Sequence, residues 1–346
     1  YEIKTTANDE LPGYGAGFLG VFDFSGDDVA GTYKQYEGAF SESLQLSYCL
    51  FDEKVIHTQY NSISNVSLHP NEEMQLSEQA YNTLKDALEK THENMNYSIY
   101  VEPIYAYWDW LFSLDSSIQS KNDPKNNEAR KEELEQLVKY CAEPYIELQL
   151  RENNKAFLKV DQEYLDFRDE YEITGPLVSL NNLKTAYRLQ MLADDFVKKG
   201  YTNGYIYHDS GLYISLENHN NPIYSLYDLK GSILNKYAVV QIGKPSCAVI
   251  SKRFVYGEVD YRPYYKLEDG TVRNAFINLD SGYCDEYYSA TALFDKSTNI
   301  LDLAYKSLYL STLSLNDAES FLDKEYACFT IVEDDKNAYV SNKLLE

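Results

Sequence analysis

The stretch Leu177–Gly211 reads LVSLNNLKTAYRLQMLADDFVKKGYTNGYIYHDSG. Its pattern predicts strand, amphipathic helix, turn and strand in succession. Leu183, Tyr187, Met191 and Leu192 fall at helical spacing, with Val197 further along the same stripe. Lys198 and Lys199 occupy the last turn, where cations complement the helix dipole. Gly200 supplies the left-handed residue that ends many helices, and Tyr201–Tyr207 follows as a short aromatic strand. This is one α/β unit, and on physics alone it defines no chemistry.

Upstream, Thr32–Leu50 has helical periodicity, and Phe51–Val66 is irregular and polar around Asn61-Ser62-Ile63-Ser64. Ser77–Thr91 is a helix with Ser77 as N-cap and Ala80, Leu84 and Leu88 on one face. Tyr97–Phe112 is the most apolar segment and is assigned to the core. Asp115–Ala129 reads as an exposed loop, Arg130–Lys139 as a charged helix, and Ile146–Val160 as two strands around Glu152-Asn153-Asn154. Downstream, Tyr237–Ile242 and Ala248–Val255 are strands, and Tyr264–Ile277 is a hairpin turning at Asp269-Gly270. Ile300–Leu313 reads as a buried helix or strand–helix junction. Asp317–Leu322 is a short helix, and Ala327–Glu333 a strand with its turn at Asp334–Asn337. The expectation is an α+β chain of mixed sheets with packed helices. Residues 1–16 form a flexible lead-in, and 17–346 a single domain with a helical N-terminal subregion.

A formal charge of −24 on 346 residues excludes general binding to phosphate backbones, which needs clustered Lys and Arg. It also opposes anionic lipid surfaces, and no apolar run reaches membrane-spanning length. The 34 tyrosines against two tryptophans read as compositional bias rather than as a carbohydrate- or protein-binding aromatic surface. Cys49, Cys141, Cys247, Cys284 and Cys328 form no C-x-x-C pair, so no zinc or redox motif is present, and buried free thiols are expected.

Gly15-Ala-Gly17-Phe-Leu-Gly20 matches G-x-G-x-x-G by letter. The dinucleotide fingerprint needs a strand before it and a helix after it, whereas Val21–Phe24 looks like strand, so no such site is expected. His208 and Asp209, adjacent on a strand, should point to opposite faces. His57 and His69 are read as solvated loop residues and Asp109–Asp115 as a solvated face. Lys252-Arg253 is either an exposed edge or a phosphate contact.

Taken together, the chain resembles the ApbE family of FAD:protein FMN transferases, its Gram-positive branch above all, from about Gly17 to Lys343. Gly17-Phe18-Leu19-Gly20-Val21-Phe22-Asp23 looks like the opening strand, and Ser77–Trp108 like the family's helix and aromatic segment. Pro103 and Trp108 fall where the family has the Pro of G-x-F-D-x-x-V-G-P and the Trp beyond it. Gly200-Tyr201-Thr202-Asn203 fits the helix-end turn, and Ser281-Gly282 and Asp302 the C-terminal metal-and-loop region. The resemblance implies transfer of FMN from FAD to a Thr hydroxyl, with Mg²⁺ neutralising the pyrophosphate.

The motif positions are changed. L-G-G-I-A-K-G corresponds to Leu180-Asn181-Asn182-Leu183-Lys184-Thr185-Ala186, and the Gly-Gly pair after the next strand to Asp209-Ser210. The Gly and Asp of G-x-F-D correspond to Met95 and Ser98, and the Gly before Pro103 is Glu102. H-I-I-D-P corresponds to Ala275-Phe276-Ile277-Asn278-Leu279, so no imidazole remains at Ala275. T-S-G-x-Y corresponds to Ile250-Ser251-Lys252-Arg253-Phe254. A-D-x-x-x-T keeps Asp302 but has Lys306 for Thr, at a spacing where the two can touch on a helix.

If a cofactor site survives, the resemblance places it on Asn61, Asn181, Asn182, Thr185, Asp209, Ser210 and Asn278. The metal would fall on Asp302, with Lys306 as its substitute. Three roles follow: a non-catalytic surface binding protein on this scaffold, a transferase or FAD hydrolase with a rearranged site, or an interaction module. The resemblance also implies an extracytoplasmic lipoprotein with a lipid anchor ahead of residue 1, acting through a protein partner.

Overall fold

The structure is a computed structural model that describes residues 1–217, 221–230, 233–243, 246–252, 264–284, 288–331 and 338–345. In chain order it forms β1 (Glu2–Ile3), β2 (Phe18–Phe22), α1 (Val29–Leu50), α2 (Ile63–Ser67), β3 (Glu73–Gln75), α3 (Glu78–Glu93) and α4 (Glu102–Ser113). Then come α5 (Ser116–Asn122), α6 (Glu128–Tyr140), β4 (Ile146–Arg151), β5 (Lys155–Val160), α7 (Gln162–Glu170), α8 (Lys184–Lys198), β6 (Gly204–His208) and β7 (Leu212–Ser215). The remainder is β8 (Ile223–Lys230), β9 (Ile233–Gln241), β10 (Ser246–Lys252), β11 (Tyr264–Lys266), β12 (Val272–Asn274), β13 (Tyr288–Asp295), α9 (Ile300–Leu310), α10 (Leu315–Leu322), β14 (Tyr326–Ile331), β15 (Ala338–Val340) and α11 (Asn342–Leu345). The class is α+β, as expected.

The chain divides into two compact units. The first takes Tyr1–Tyr48, Asn182–Tyr256 and Tyr287–Glu346; the second takes Cys49–Asn181 and Gly257–Glu286.

The first unit is built on an antiparallel sheet in the order β1-β2-β6-β7-β10-β13-β14-β15. Alternation along β2 turns Phe18 and Phe22 to the buried face, where Ile206 and Ile214 join them. The Phe22 ring meets Tyr36 of α1 at 5.0 Å and Phe196 of α8 at 5.2 Å, so α1 and α8 close over this face. The helix of the opening stretch forms, with Leu183, Tyr187 and Leu192 buried as expected, joined by Leu189, Ala193 and Phe196, and with Met191 and Val197 only partly covered. Gly200 has φ +79 and its amide reaches Val197 O, while Tyr201 N reaches Phe196 O: a glycine stop that releases the chain into β6. Residues 1–16, expected as a flexible lead-in, supply β1, and Ile3 and Tyr14 are buried.

The second unit is mainly helical. Ser77 caps α3 by accepting from Ala80 N, and α4 carries the aromatic core segment. β3, β5 and β4 form a three-stranded sheet, and β11–β12 a hairpin turning at Gly270, φ +92. Two expectations fail here. No strand forms over Leu177–Leu180. These residues are buried, but side chains from elsewhere satisfy the backbone: Ser67 Oγ donates to Val178 O, and Glu53 Oε1 accepts from Leu180 N. The Ser/Asn/Lys-rich segment after Asp115 is not simply an exposed loop. It holds α5, with Gln119 turned in to donate to the carbonyls of Leu111 and Phe112 and Asp123 fully buried. Val255, Glu333 and the turn Asp334–Asn337 lie outside the described residues. All five cysteines are buried and free, and no described helix is long and apolar enough to cross a membrane.

Candidate functional site

In the first unit, Asn299 caps α9 by accepting from Asp302 N, which places Asp302 in the first turn and Lys306 one turn later. Lys306 Nζ lies 3.0 Å from Asp302 Oδ2 and 3.1 Å from Glu325 Oε1, a residue the sequence did not single out. Burial lowers the Lys306 pKa, but the two carboxylates outweigh it and hold the ammonium charged. Two negative charges against one positive leave the group at −1. The ammonium is therefore over-neutralised by its two partners. A hard divalent cation needs several oxygens at once. Here both carboxylates are taken up by Lys306, and the described residues contain no other cluster of His, Cys, Asp or Glu that would hold a metal. The residues do not fit Mg²⁺.

Asp209 and Ser210 form the turn after β6. His208 Nδ1 accepts from Ser210 N at 3.1 Å and lies 2.8 Å from Ser210 Oγ and 3.3 Å from Asp209 Oδ1. The expectation that His208 and Asp209 point to opposite faces of a strand is corrected: the strand ends at His208, and the turn folds Asp209 back beside it. Burial of the ring lowers the His208 pKa more than Asp209 raises it. Gly17 explains the glycine letters nearby. At φ +78, a Cβ there would lie 2.4 Å from His208 Nε2. A strand follows it rather than a helix, so there is no dinucleotide loop. Thr185 sits partly buried in the first turn of α8, and Asn182 is exposed just before it. Sequence reasoning missed Arg188. It is buried on α8, donates to Leu44 O at 3.2 Å, Ser47 Oγ at 3.3 Å and Tyr14 O, and lies over Phe18. A lone Arg on an otherwise apolar stripe was the available signal.

In the second unit the loop Asn94–Ser98 gathers several motif positions. Asn181 has φ +46, the left-handed backbone a glycine would take. Its side chain then fills the space, with Nδ2 donating to Ser98 O at 2.7 Å and Ser179 O at 3.2 Å. From the other end, Asn96 Nδ2 donates to Ile277 O and its Oδ1 accepts from Leu279 N. Asn278 spends its carboxamide oxygen on Asp280 N and Ser281 N. Ala275 is exposed and presents no acid–base group. Trp108 Nε1 donates to Gly282 O at 2.7 Å, and buried Arg273 pairs with buried Asp123 at 2.8 and 3.0 Å. This loop is pinned along its length. Asn61 stands apart, exposed, with its carbonyl accepting from Ser77 N.

A cleft of about 310 Å³ opens beside Ser98, lined by His92, Tyr97, Ile104, Glu143 and Asp280 among others and by no Lys or Arg. A pyrophosphate there would meet two carboxylates. In the first unit a cleft of about 480 Å³ is lined by Leu19, Tyr207 and Asp209, with Lys4 as its cation, and Lys4 is paired with Glu2. Neither cleft has the positive field an FAD diphosphate needs. His57 and His69, expected in solvent, are half-buried. His57 Nε2 lies 2.9 Å from Asp52 Oδ2, and His69 Nδ1 2.8 Å from Asn65 O. Of Lys252-Arg253, Arg253 lies outside the described residues.

No protein-family model matches the chain, and no curated protein matches it in sequence. Solved structures do. The ApbE protein of Thermotoga maritima has a TM-score of 0.65 at 12% identity, covering 94% of this chain and 97% of that one. Flavin transferase ApbE from Vibrio cholerae has a TM-score of 0.62 at 12% identity, covering 95% and 94%. The apo flavinyl transferase ApbE of Pseudomonas stutzeri has 0.61 at 13%, covering 94% and 92%. The chain has the fold of the ApbE flavin transferases.

Proposed function

We propose that this chain is a catalytically degenerate protein on the ApbE scaffold, kept for binding or interaction rather than for FMN transfer. The observation that carries the reading is Lys306 held between Asp302 and Glu325, where the resemblance places the metal aspartate. The other substitutions agree with it. Ala275 supplies no proton carrier in place of a histidine. Asn181 keeps a glycine-like backbone but fills the space a nucleotide would approach with a carboxamide bonded to Ser98. A phosphoanhydride cleaved without a cation, a base or a positive cleft would lack each of the usual sources of rate.

The resemblance to the ApbE family further suggests a place outside the cytoplasm, with a lipid anchor ahead of residue 1. The five cysteines are compatible with this, since each is buried and needs no reducing surroundings to stay free.

A thermal-melt titration with FAD, with and without Mg²⁺, tests the reading. A ligand at a hundred times its Kd stabilises by about 2.7 kcal/mol. No shift at saturating FAD is expected, and no FMN transfer to a Thr-containing acceptor peptide. A Mg²⁺-dependent rise with transfer would establish an active enzyme instead.

A further inference from the structure

His208 lies behind two pieces of backbone that line the larger cleft of the first unit. That cleft, of about 480 Å³, has Gly15, Ala16 and Gly17 along one wall and Asp209 beside them. The two pieces are tied directly, since Asp209 N donates to Gly17 O at 3.0 Å. They also sit flush. A Cβ on Gly17 would strike His208 Nε2 and come within 2.6 Å of Asp209 Oδ1, so the turn cannot move towards the loop without displacing it. The far end of the turn is fixed to the sheet. Ile250 N donates to Gly211 O at 2.8 Å, and the Ile250 carbonyl leaves no room for a side chain on Gly211.

The imidazole holds this turn through one nitrogen. Nδ1 accepts from Ser210 N at 3.1 Å, so the neutral ring carries its proton on Nε2, on the side of the glycine loop. A second proton must therefore go to Nδ1. Ser210 Oγ, 2.8 Å from Nδ1, can rotate and accept from it. The Ser210 amide cannot, because two N–H groups would then point at one another. The new donor has a further acceptor in Asp209 Oδ1, 3.3 Å away. Ser210 is exposed, so water can take up the released amide. Burial of the ring opposes its protonation. Asp209 and the Ala16 carbonyl favour it, and Arg188 of α8 opposes it, while β2 presents only the uncharged Phe18 ring, edge-on at 4.6 Å.

We propose that protonation of His208 releases the Asp209–Gly211 turn from the ring and shifts the wall of this cleft, so that the cleft has a neutral-ring form and an acid form. This latch is separate from the function proposed above and holds whether or not FMN transfer has been lost.

NMR of the isotope-labelled chain tests it. The His208 ring is expected to titrate with a midpoint below about 6.5, and the amide signals of Gly17, Asp209 and Ser210 should move with that same midpoint. The coupling across the Ser210 N–H to Nδ1 hydrogen bond should be present above the midpoint and absent below it. The Asp209 amide should exchange about tenfold faster in the acid form, after correction for the intrinsic pH dependence and relative to Ile206. His208→Gln, whose amide oxygen can still accept from Ser210 N, should abolish these changes. Asp209→Asn should lower the ring and amide midpoints together, because the carboxylate that favours the proton is gone. A ring that titrates while Asp209 exchange and the Ser210 coupling stay unchanged overturns the proposal. So do amides that still titrate in His208→Gln, or a ring that stays neutral down to about pH 4.5. Should His208→Gln fail to fold, Asp209→Asn decides: amide midpoints that stay behind when the ring midpoint falls overturn it equally.

Discussion

Lys306→Ala removes one ammonium and leaves Asp302 facing Glu325. Each carboxylate oxygen lies near 3 Å from Nζ, so the two stand no more than about 6 Å apart. Like charges at that separation repel by about 3 kcal/mol at an effective dielectric of 20 and by under ~1 kcal/mol in bulk water. The side chains of Asp302 and Glu325 are 45% and 26% exposed, so solvent screens much of the larger figure. A destabilisation of about 1–2 kcal/mol is expected in urea titrations at low salt, shrinking as salt is added. The same variant should gain what the wild type lacks. With the ammonium gone, two carboxylates can share a divalent cation, and Mn²⁺ followed by EPR should bind at about 10⁻³ M. That binding should restore stability. Adding Asp302→Asn should remove both the repulsion and the Mn²⁺. A wild type that binds Mn²⁺ through Asp302, or a Lys306→Ala protein that neither weakens nor gains Mn²⁺, would refute the idea that this ammonium occupies a metal's place.

Three other outcomes are expected. Arg273→Met strands the fully buried Asp123 carboxylate and should cost about 3–5 kcal/mol by urea unfolding, while Arg273→Met with Asp123→Leu should recover most of it. Asn181→Ala loses the Ser98 bond and forces a Cβ residue with no local partner into φ +46, about 2 kcal/mol together; Asn181→Gly, which keeps the backbone at ease, should stay within about 1 kcal/mol of wild type in the same melt. His208 has a lowered pKa in the fold, so below about pH 6.5 the unfolded chain takes up its proton first. Stability should therefore fall as pH drops through that value, level off below the folded pKa, and lose this component in His208→Gln; a wild-type curve flat between pH 7 and 5 would contradict the His208 geometry.

Local signals made much of the fold legible. The Ser77 cap, the Gly200 stop and the Asp269-Gly270 turn each act within a few residues, and each lies where the pattern puts it. The Asn153-Asn154 turn also holds, both residues taking φ near +59 and +58. What escaped was set by partners far along the chain. Asp123 sits in a Lys/Asn-rich segment that resembles a loop, yet its partner Arg273 is 150 residues away. Leu177–Leu180 is apolar enough for a strand, but its backbone partners are the side chains of Ser67 and Glu53, more than 100 residues earlier. The candidate site divided the same way. Asp302 and Lys306 were visible as an i, i+4 pair, whereas Glu325 arrives from the turn before β14.

That third group changes the chemical meaning of the pair. A lysine beside one aspartate is a neutral couple whose ammonium a phosphate still draws upon. A lysine shared by two carboxylates is an anion overall, and it repels what a metal would have attracted. The same sign recurs at the cleft beside Ser98, with Glu143 and Asp280. A fold shared with the ApbE flavin transferases therefore carries negative charge both at the Lys306 group and at this cleft. On the reading proposed above, a nucleotide diphosphate would meet carboxylates at both places.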